Sequence, residues 1–155
     1  MFENFLFAFF LLNTVYVLIL SLAGFFYKKV QVKKSEVTNR IAVLVPCYKE
    51  DKVILSTTQN LLSLKYPKEK FDIIIIADSL KSETLSSLFS TEAIVVPVSF
   101  ERSTKSKSLN YAMAQLTKQY QIAIVLDADN IPTPDFLEDI NDLFNTGYNV
   151  IQCQR

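Results

Sequence analysis

Acidic side chains follow directly after apolar runs at two places in this chain. Asp127 and Asp129 follow the run Ile122–Leu126, and Asp78 follows Phe71–Ala77. Such short, continuous apolar runs are typical of strands buried in a parallel sheet, which binds ligands beyond the carboxyl ends of its strands. Two carboxylates at one strand end can hold Mg²⁺ or Mn²⁺, since hard cations take oxygen ligands and complete their shell with phosphates. The alternative is an ordinary acidic turn.

The apolar runs alternate with segments of helical periodicity, which predicts an α/β fold with a parallel sheet and right-handed crossovers. Pro46 is expected to close the first strand, and Pro97 is expected to place the third strand near an edge. We expect helices after Val53, over Glu83–Phe89 and Lys107–Lys118, and from Pro134 to a stop at Gly147. About five strands are predicted, over Ile41–Val45, Phe71–Ala77, Ala93–Val98, Ile122–Leu126 and Tyr148–Cys153.

The N-terminal segment predicts one transmembrane helix over residues 4–27, because Asn4–Tyr27 holds 24 consecutive uncharged residues. The basic residues after it predict the cytoplasmic side, so the following chain is expected in the cytoplasm, at the inner (cytoplasmic) membrane. Those residues are Lys28, Lys29, Lys33 and Lys34. The alternatives are a cleaved signal peptide, which needs a basic start and a shorter apolar core, and a buried core helix, which needs a polar face.

The charge distribution separates a basic juxtamembrane linker, residues 28–40, from the folded region. Residues 41–155 hold eleven basic and fourteen acidic residues, so no basic footprint for nucleic acid is expected. The chain has no histidine, and its two cysteines, Cys47 and Cys153, lie far apart in sequence. This composition argues against a zinc site, a disulfide scaffold and a Ser-His-Asp mechanism.

Glycine provides a further exclusion. The two glycines, Gly24 and Gly147, cannot form either a G-x-G-x-x-G dinucleotide loop or a G-x-x-x-x-G-K phosphate loop. If the α/β region binds a nucleotide, a metal ion and side chains must therefore neutralise the phosphates.

Four blocks resemble, in order and spacing, those of family 2 glycosyltransferases with the GT-A fold. They are Pro46-Cys47-Tyr48-Lys49-Glu50, Ala77-Asp78-Ser79, Lys105-Ser106-Lys107-Ser108-Leu109-Asn110 and Asp127-Ala128-Asp129. The chain looks most similar to membrane-anchored bacterial members akin to cellulose and poly-N-acetylglucosamine synthases. The resemblance implies that residues 41–155 form the nucleotide-sugar-binding half of an incomplete GT-A domain, a Rossmann-like, mostly parallel sheet with flanking helices.

The resemblance also implies roles for individual residues. The backbone near Pro46, with Tyr48 and Glu50, is expected to contact uridine, and Asp78 to accept from the uracil N–H. Lys105 is expected to approach the nucleotide. The plainer alternatives are a turn cap for Asp78, a solvated lysine at a helix start, a packing aromatic for Tyr48 and a first-turn acid for Glu50.

For the remaining positions, the resemblance implies that Asn110 shapes a helix start. It places Asp127 near the ribose and Asp129 on a Mg²⁺ or Mn²⁺ ion that bridges the diphosphate, with Asp127 as the second acid of the metal pair. Two positions depart from the family pattern: Ser82 stands where a second aspartate is frequent, and Thr104 stands where glycine usually precedes the lysine.

The expected function is metal-assisted transfer of a sugar from a UDP-linked donor to a glycan or lipid acceptor, with inversion. The resemblance places the general base beyond Arg155, so the chain is expected to be a fragment, inactive alone, that works with other chains of a polysaccharide-synthesis system. The alternative function is a non-catalytic, membrane-anchored nucleotide-sugar-binding module.

Overall fold

The computed structural model describes residues 2–26 and 32–153. The chain divides into two compact units, with the division between Gln31 and Val32, and each unit is described by itself.

The first unit contains α1, Phe2–Phe25, a helix of 24 residues with a mean hydropathy of 2.4 over its most apolar stretch. At 1.5 Å per residue the helix is about 36 Å long, enough to cross a bilayer. Its polar side chains Asn13 and Thr14 donate hydrogen bonds to carbonyls of the preceding turn. Within the described ranges, α1 is the one helix with the length and composition of a membrane span. Tyr27, the last residue of the predicted span, lies outside those ranges.

The second unit is built on a parallel sheet, as the alternating pattern predicts. Residues 32–153 contribute four strands in the order β3-β2-β1-β4, and every neighbouring pair is parallel. The edge position of β3, the strand that contains Pro97, is confirmed. The bounds are β1 Ile41–Tyr48, β2 Phe71–Asp78, β3 Ile94–Val98 and β4 Ile122–Val125.

Helices cover both faces of the sheet because successive strand residues point to opposite sides. On one face, Val43 and Val45 pack in a core with α2, α3 and α5; on the other, Ala42 and Leu44 pack with α4. The helices are α2 Ile54–Leu62, α3 Ser82–Phe89, α4 Lys105–Gln115 and α5 Phe136–Asn145, and a 3₁₀ turn spans Lys68–Lys70.

Pro46 does not end β1, contrary to the prediction; the strand continues to Tyr48. The carbonyl of Leu44 accepts from the Leu126 amide on the β4 side, and alternation turns Pro46 to that same side. The β1–β4 pairing stops at Leu44 and Val125, so the missing N–H of Pro46 falls where no strand needs it.

Two strand predictions at the C-terminal end are wrong. β4 is not buried on both faces: Val125 is 49% exposed, because β4 is the edge strand of the four. Tyr148–Cys153 forms no strand in the described part of the chain. After Gly147, at φ +103°, the Tyr148 amide bonds back to the Leu143 carbonyl, which closes the end of α5 instead of starting a new strand.

Helix α4 begins at Lys105, two residues earlier than predicted, so Asn110 lies in mid-helix and does not shape its start. The Thr104 hydroxyl performs that role, accepting from the Lys107 amide at 3.3 Å. The buried residues of the helix are Ser108 and Ala112, and Leu109 packs against the same core while partly exposed.

Residues 35–39, which we call the strap, lie along the polar side of α5. The Ser35 amide donates to Asp142 Oδ1, and both nitrogens of Asn39 donate to Asn141 Oδ1, each at 3.0 Å. Asn141 is only 4% exposed and returns a hydrogen bond to the Val37 carbonyl. The strap is therefore bound to the folded unit before β1 begins.

Candidate functional site

A cavity of about 470 Å³ opens at the carboxyl ends of the strands. All seven residues predicted to bind nucleotide or metal line it: Pro46, Tyr48, Glu50, Asp78, Lys105, Asp127 and Asp129. The structure thus brings the predicted residues together, while their roles stay predictions. Ser103, Thr104 and Ser108, which sequence reasoning did not assign to the site, also line it.

The strand register explains this convergence. Tyr48 and Asp78 are the last paired residues of β1 and β2, so both strands end at the same level. β4 ends earlier, at Val125, and the acid loop, which we define as residues 126–130, fills the same edge of the sheet. The chain turns sharply after β1 and β2, with the non-glycine residues Lys49 and Ser79 at φ 56° and 55°. Such conformations cost on the order of 1–2 kcal/mol each and recur at functional sites.

Asp78 is the most enclosed carboxylate of the cavity, at 2% exposure. Its Oδ1 accepts from the Ser79 hydroxyl at 2.9 Å. Its Oδ2 accepts from the hydroxyls of Ser103 and Ser108, the latter at 3.4 Å. The Lys49 amide donates to its carbonyl at 3.1 Å, which fixes the β1 and β2 ends relative to each other. The turn-cap reading of Asp78 therefore describes only part of its surroundings.

The acid loop is held from α2. The buried hydroxyl of Thr57 donates to the Ala128 carbonyl at 2.7 Å, and the Asn130 amide donates to the Asp127 carbonyl at 3.1 Å. Ala128 is buried, and the acidic residues on either side of it, Asp127 and Asp129, both line the cavity. A buried hydrogen bond between two elements thus fixes the middle of the loop.

Lys105 forms an ion pair with Asp127 across the cavity. The two side chains are 51% and 38% exposed, so solvent screens the pair and its contribution to stability is small, about 0–1 kcal/mol. Thr104 positions Lys105 by capping α4, which gives a structural use to the residue that replaces the family's glycine.

The acid pair has the donor chemistry of a Mg²⁺ or Mn²⁺ site that is completed by a ligand. Asp127 and Asp129 supply oxygens to one cavity. Among the described residues no group of three or more His, Cys, Asp or Glu could enclose a metal. Two carboxylates suit a hexacoordinate cation that takes its other ligands from water and phosphate.

Electrostatics distinguish two further residues near β1. Burial raises the pKa of Cys47 to about 12, so this thiol is neutral and serves as a small core side chain, as expected from its type. Asp51 accepts from the Thr84 hydroxyl at 2.7 Å and the Lys81 amide at 2.9 Å. These two hydrogen bonds, the Thr84 hydroxyl first, lower the pKa of Asp51 and join the loop after β1 to the start of α3.

A second, larger groove of about 770 Å³ runs along the outer edge of β4 and shares Asp127 and Asp129 with the cavity. Its apolar floor includes Phe136, Ile140 and Phe144 of α5. The smaller cavity differs from this groove because it also contains Asp78 and Lys105.

Comparison with known proteins decides the family. The model of the glycosyltransferase-like family 2 matches residues 39–155, three quarters of the chain. The chain belongs to this family. It is also 28% identical over 100 residues to the probable glycosyltransferase YdaM of Bacillus subtilis (strain 168), a match that covers 60% of this chain and 23% of YdaM.

Solved structures of glycosyltransferases share the fold. The mannosyltransferase PcManGT from Pyrobaculum calidifontis, in complex with GDP-Man and Mn²⁺, superposes with a TM-score of 0.62 at 24% identity, over 76% of this chain and 36% of that one. S. aureus TarS 1–349, in complex with UDP-GlcNAc, superposes with a TM-score of 0.57 at 19% identity, over 73% of this chain and 37% of TarS 1–349. Glucosyl-3-phosphoglycerate synthase from Mycobacterium tuberculosis, in complex with Mn²⁺, UDP and phosphoglyceric acid, superposes with a TM-score of 0.52 at 20% identity. The match covers 72% of this chain and 42% of the synthase.

These comparisons confirm the family and the GT-A fold that the motifs indicate. The chain spans between 23% and 42% of these relatives, so the activity of a whole enzyme does not transfer to it directly.

Proposed function

We propose that this chain binds a nucleotide sugar together with a divalent cation, as the donor half of a family 2 glycosyltransferase. In the intact enzyme the sugar passes with inversion to a glycan or lipid acceptor. The observation that carries the proposal is the convergence of Asp78, Lys105 and the acid pair of residues 127 and 129 in one cavity. These groups come from two strand ends and the start of α4, and an ordinary acidic turn gives no reason for them to lie together.

Different residues of the cavity would contact different parts of the nucleotide sugar. Asp78, enclosed by hydroxyls, suits the neutral N–H of a base, and Tyr48, half-exposed at the rim, offers a ring to the nucleoside. Asp127 and Asp129 line the same cavity as Asp78 and would face the ribose and diphosphate. Lys105 supplies the positive charge that a diphosphate needs once its ion pair with Asp127 is exchanged.

Asp129, with Asp127, would hold Mg²⁺ or Mn²⁺. When bound, such an ion neutralises charge on the diphosphate that leaves. The protein's own contribution is to keep the two carboxylates at fixed spacing through the Thr57 hydrogen bond to Ala128.

We place the protein at the inner membrane, anchored through α1 with the folded unit in the cytoplasm. Length and composition of α1 support an anchor, and the lysines after it favour this orientation. A membrane location suits a lipid or glycan acceptor and partner chains of a polysaccharide-synthesis system.

A second candidate function is a nucleotide-sugar-binding module without catalysis. An inverting transfer needs a base within hydrogen-bond reach of the acceptor hydroxyl. The acids of the described cavity wall are Glu50, Asp78, Asp127 and Asp129, and each of them is assigned to the donor, Glu50 through its expected contact with uridine. A turnover assay therefore separates the two candidates.

The test is calorimetric titration of the full chain in detergent micelles with UDP-GlcNAc, in MnCl₂ and in EDTA. We expect binding that requires Mn²⁺ and is lost in Asp129→Asn. Asp135→Asn is the matched control: this exposed acid lies just beyond the acid loop, outside the cavity, and pairs with Lys65 at 3.0 Å. Equal affinity in Mn²⁺ and EDTA, or an equal loss in both variants, would contradict the proposal. Release of labelled sugar identifies an enzyme; binding without turnover identifies a module.

A further inference from the structure

The ammonium of Lys105 lies in the cavity on one carboxylate of the proposed metal pair. It donates to Asp127 Oδ1 and forms an ion pair with that group. Lys105 belongs to the first turn of α4 and Asp127 to the acid loop, and both line the cavity. The residue proposed to meet the diphosphate is therefore bound, in the free protein, to a residue proposed to hold the cation.

The fold places these two partners but leaves their side chains able to change contacts. The Thr104 hydroxyl caps α4 and so fixes the backbone at Lys105. The Thr57 hydroxyl holds the Ala128 carbonyl, next to Asp127, at 2.7 Å. The first turn of α4 contains no acid, so a negative group from another element is favourable at its N-terminus. The side chains of Lys105 and Asp127 are 51% and 38% exposed, so each can exchange its partner for a ligand.

A diphosphate and a divalent cation that bind together satisfy both members of this ion pair. Lys105 then donates to the diphosphate, and Asp127 gives its oxygens to the cation. Either ligand alone completes only half of the exchange. With the cation alone, Asp127 must hold two positive groups that repel each other at short range, or the Lys105 ammonium must leave for water. With the diphosphate alone, Lys105 is drawn away and the negative charge of Asp127 faces the phosphates.

We infer that Lys105 couples the two ligands: in the free protein its ammonium opposes a divalent cation at Asp127, and a diphosphate ends this opposition by taking the ammonium over. This inference rests on the proposed function and adds to it an effect of opposite sign, since Lys105 favours the nucleotide and disfavours the cation alone. A lysine that only approaches the nucleotide, as the resemblance implies, would leave the affinity for the cation alone unchanged.

The experiment titrates the full chain in micelles with Mn²⁺ and no nucleotide, and electron paramagnetic resonance measures the free ion. Lys105→Gln removes the charge and should raise the affinity for Mn²⁺ about fivefold, the amount by which a half-exposed ion pair can oppose the ion. Lys107→Gln is the matched control: it removes the same charge from the same helical turn, but this ammonium donates to the Arg102 carbonyl at 3.1 Å and lies outside the cavity wall. Its affinity for Mn²⁺ should equal that of the wild type.

Two further measurements separate coupling from a structural role. Asp129→Asn, added to the wild type or to Lys105→Gln, should remove the Mn²⁺ binding, which locates the measured ion at the acid loop. Calorimetry with UDP in saturating Mn²⁺ should show weaker nucleotide binding in Lys105→Gln, whereas a merely damaged site would lose affinity for both ligands. An unchanged or lower Mn²⁺ affinity in Lys105→Gln, or an equal rise in Lys107→Gln, overturns the inference while the proposed function stands. UDP binding that is independent of Mn²⁺ in the wild type overturns the proposed function and the inference with it.

Discussion

Replacing Thr57 by valine should loosen the acid loop while preserving the shape of the core. Thr57 is 2% exposed, and its hydroxyl donates to the Ala128 carbonyl, between the two acids of the proposed metal pair. Valine has nearly the same volume but cannot donate, so the variant removes the one hydrogen bond that joins α2 to the loop's centre without creating a cavity.

The size of the effect follows from the environment of that bond. Ala128 is 6% exposed, so its carbonyl loses a donor where water cannot easily replace it. Leaving such an acceptor unsatisfied costs about 1–3 kcal/mol of the free energy of unfolding. If the loop relaxes in the free protein, it must be ordered again on binding; about 1 kcal/mol of ordering lowers the affinity for Mn²⁺ and UDP roughly fivefold.

Thr58→Val is a matched control on the same helix. Thr58 is fully buried as well, and its hydroxyl donates at 2.7 Å, but to the Ile54 carbonyl within α2. That carbonyl keeps its backbone donor in the helix, so the loss should be smaller and the acid loop unaffected. Urea unfolding measures stability, and calorimetry with Mn²⁺ and UDP measures affinity. The reasoning is refuted if both variants lower the affinity equally, or if Thr57→Val lowers neither quantity.

Three further predictions follow from the site and its supports. Lys105→Gln should change the free energy of unfolding by less than about 1 kcal/mol, because the ion pair is half-exposed, yet it should weaken UDP binding about tenfold in calorimetry. The control is Lys107→Gln, which should leave UDP binding unchanged, because the Lys107 ammonium donates to the Arg102 carbonyl. Because the pKa of Asp51 is lowered from its ordinary value of 3.8, its ionised carboxylate stabilises the folded state above that pH, and this stabilisation is lost as pH falls through the pKa of the folded state. In Asp51→Asn, the midpoint of urea unfolding should therefore decline less below about pH 4. Gly147→Ala meets no atom within 4 Å, so φ +103° alone should cost about 1 kcal/mol in urea unfolding, with UDP affinity unchanged.

The sequence allowed the sheet and the predicted site residues to be placed because both depend on local pattern. The apolar run Phe71–Ala77 is long enough to specify a buried strand, and in a parallel sheet the residue after it must lie at the ligand edge. Asp78 and Asp127 therefore line the same cavity, as expected, although β1 lies between their strands, β2 and β4.

Other features depend on contacts that no local pattern reports. The run Ile122–Leu126 has the same composition as a central strand, yet half of β4 is exposed because its outer edge is unpaired in the described residues. The Ser103 hydroxyl reaches Asp78 from 25 residues away, through a segment that reads only as a polar loop. The hydrogen bond of Thr57 spans 71 residues, and a threonine in a helix carries no signal of such a partner.

The strap has a mechanical consequence when tension is applied at the N-terminal end of the folded unit. A tensile load entering at Ser35 is first borne by hydrogen bonds to the side chains of Asp142 and Asn141, arranged one after another along α5. Hydrogen bonds loaded in sequence break one at a time, whereas the load on β1 is shared by its hydrogen bonds to the two neighbouring strands, β2 and β4. Under such a load we expect the strap to detach from α5 before the sheet that holds the carboxylates is disturbed.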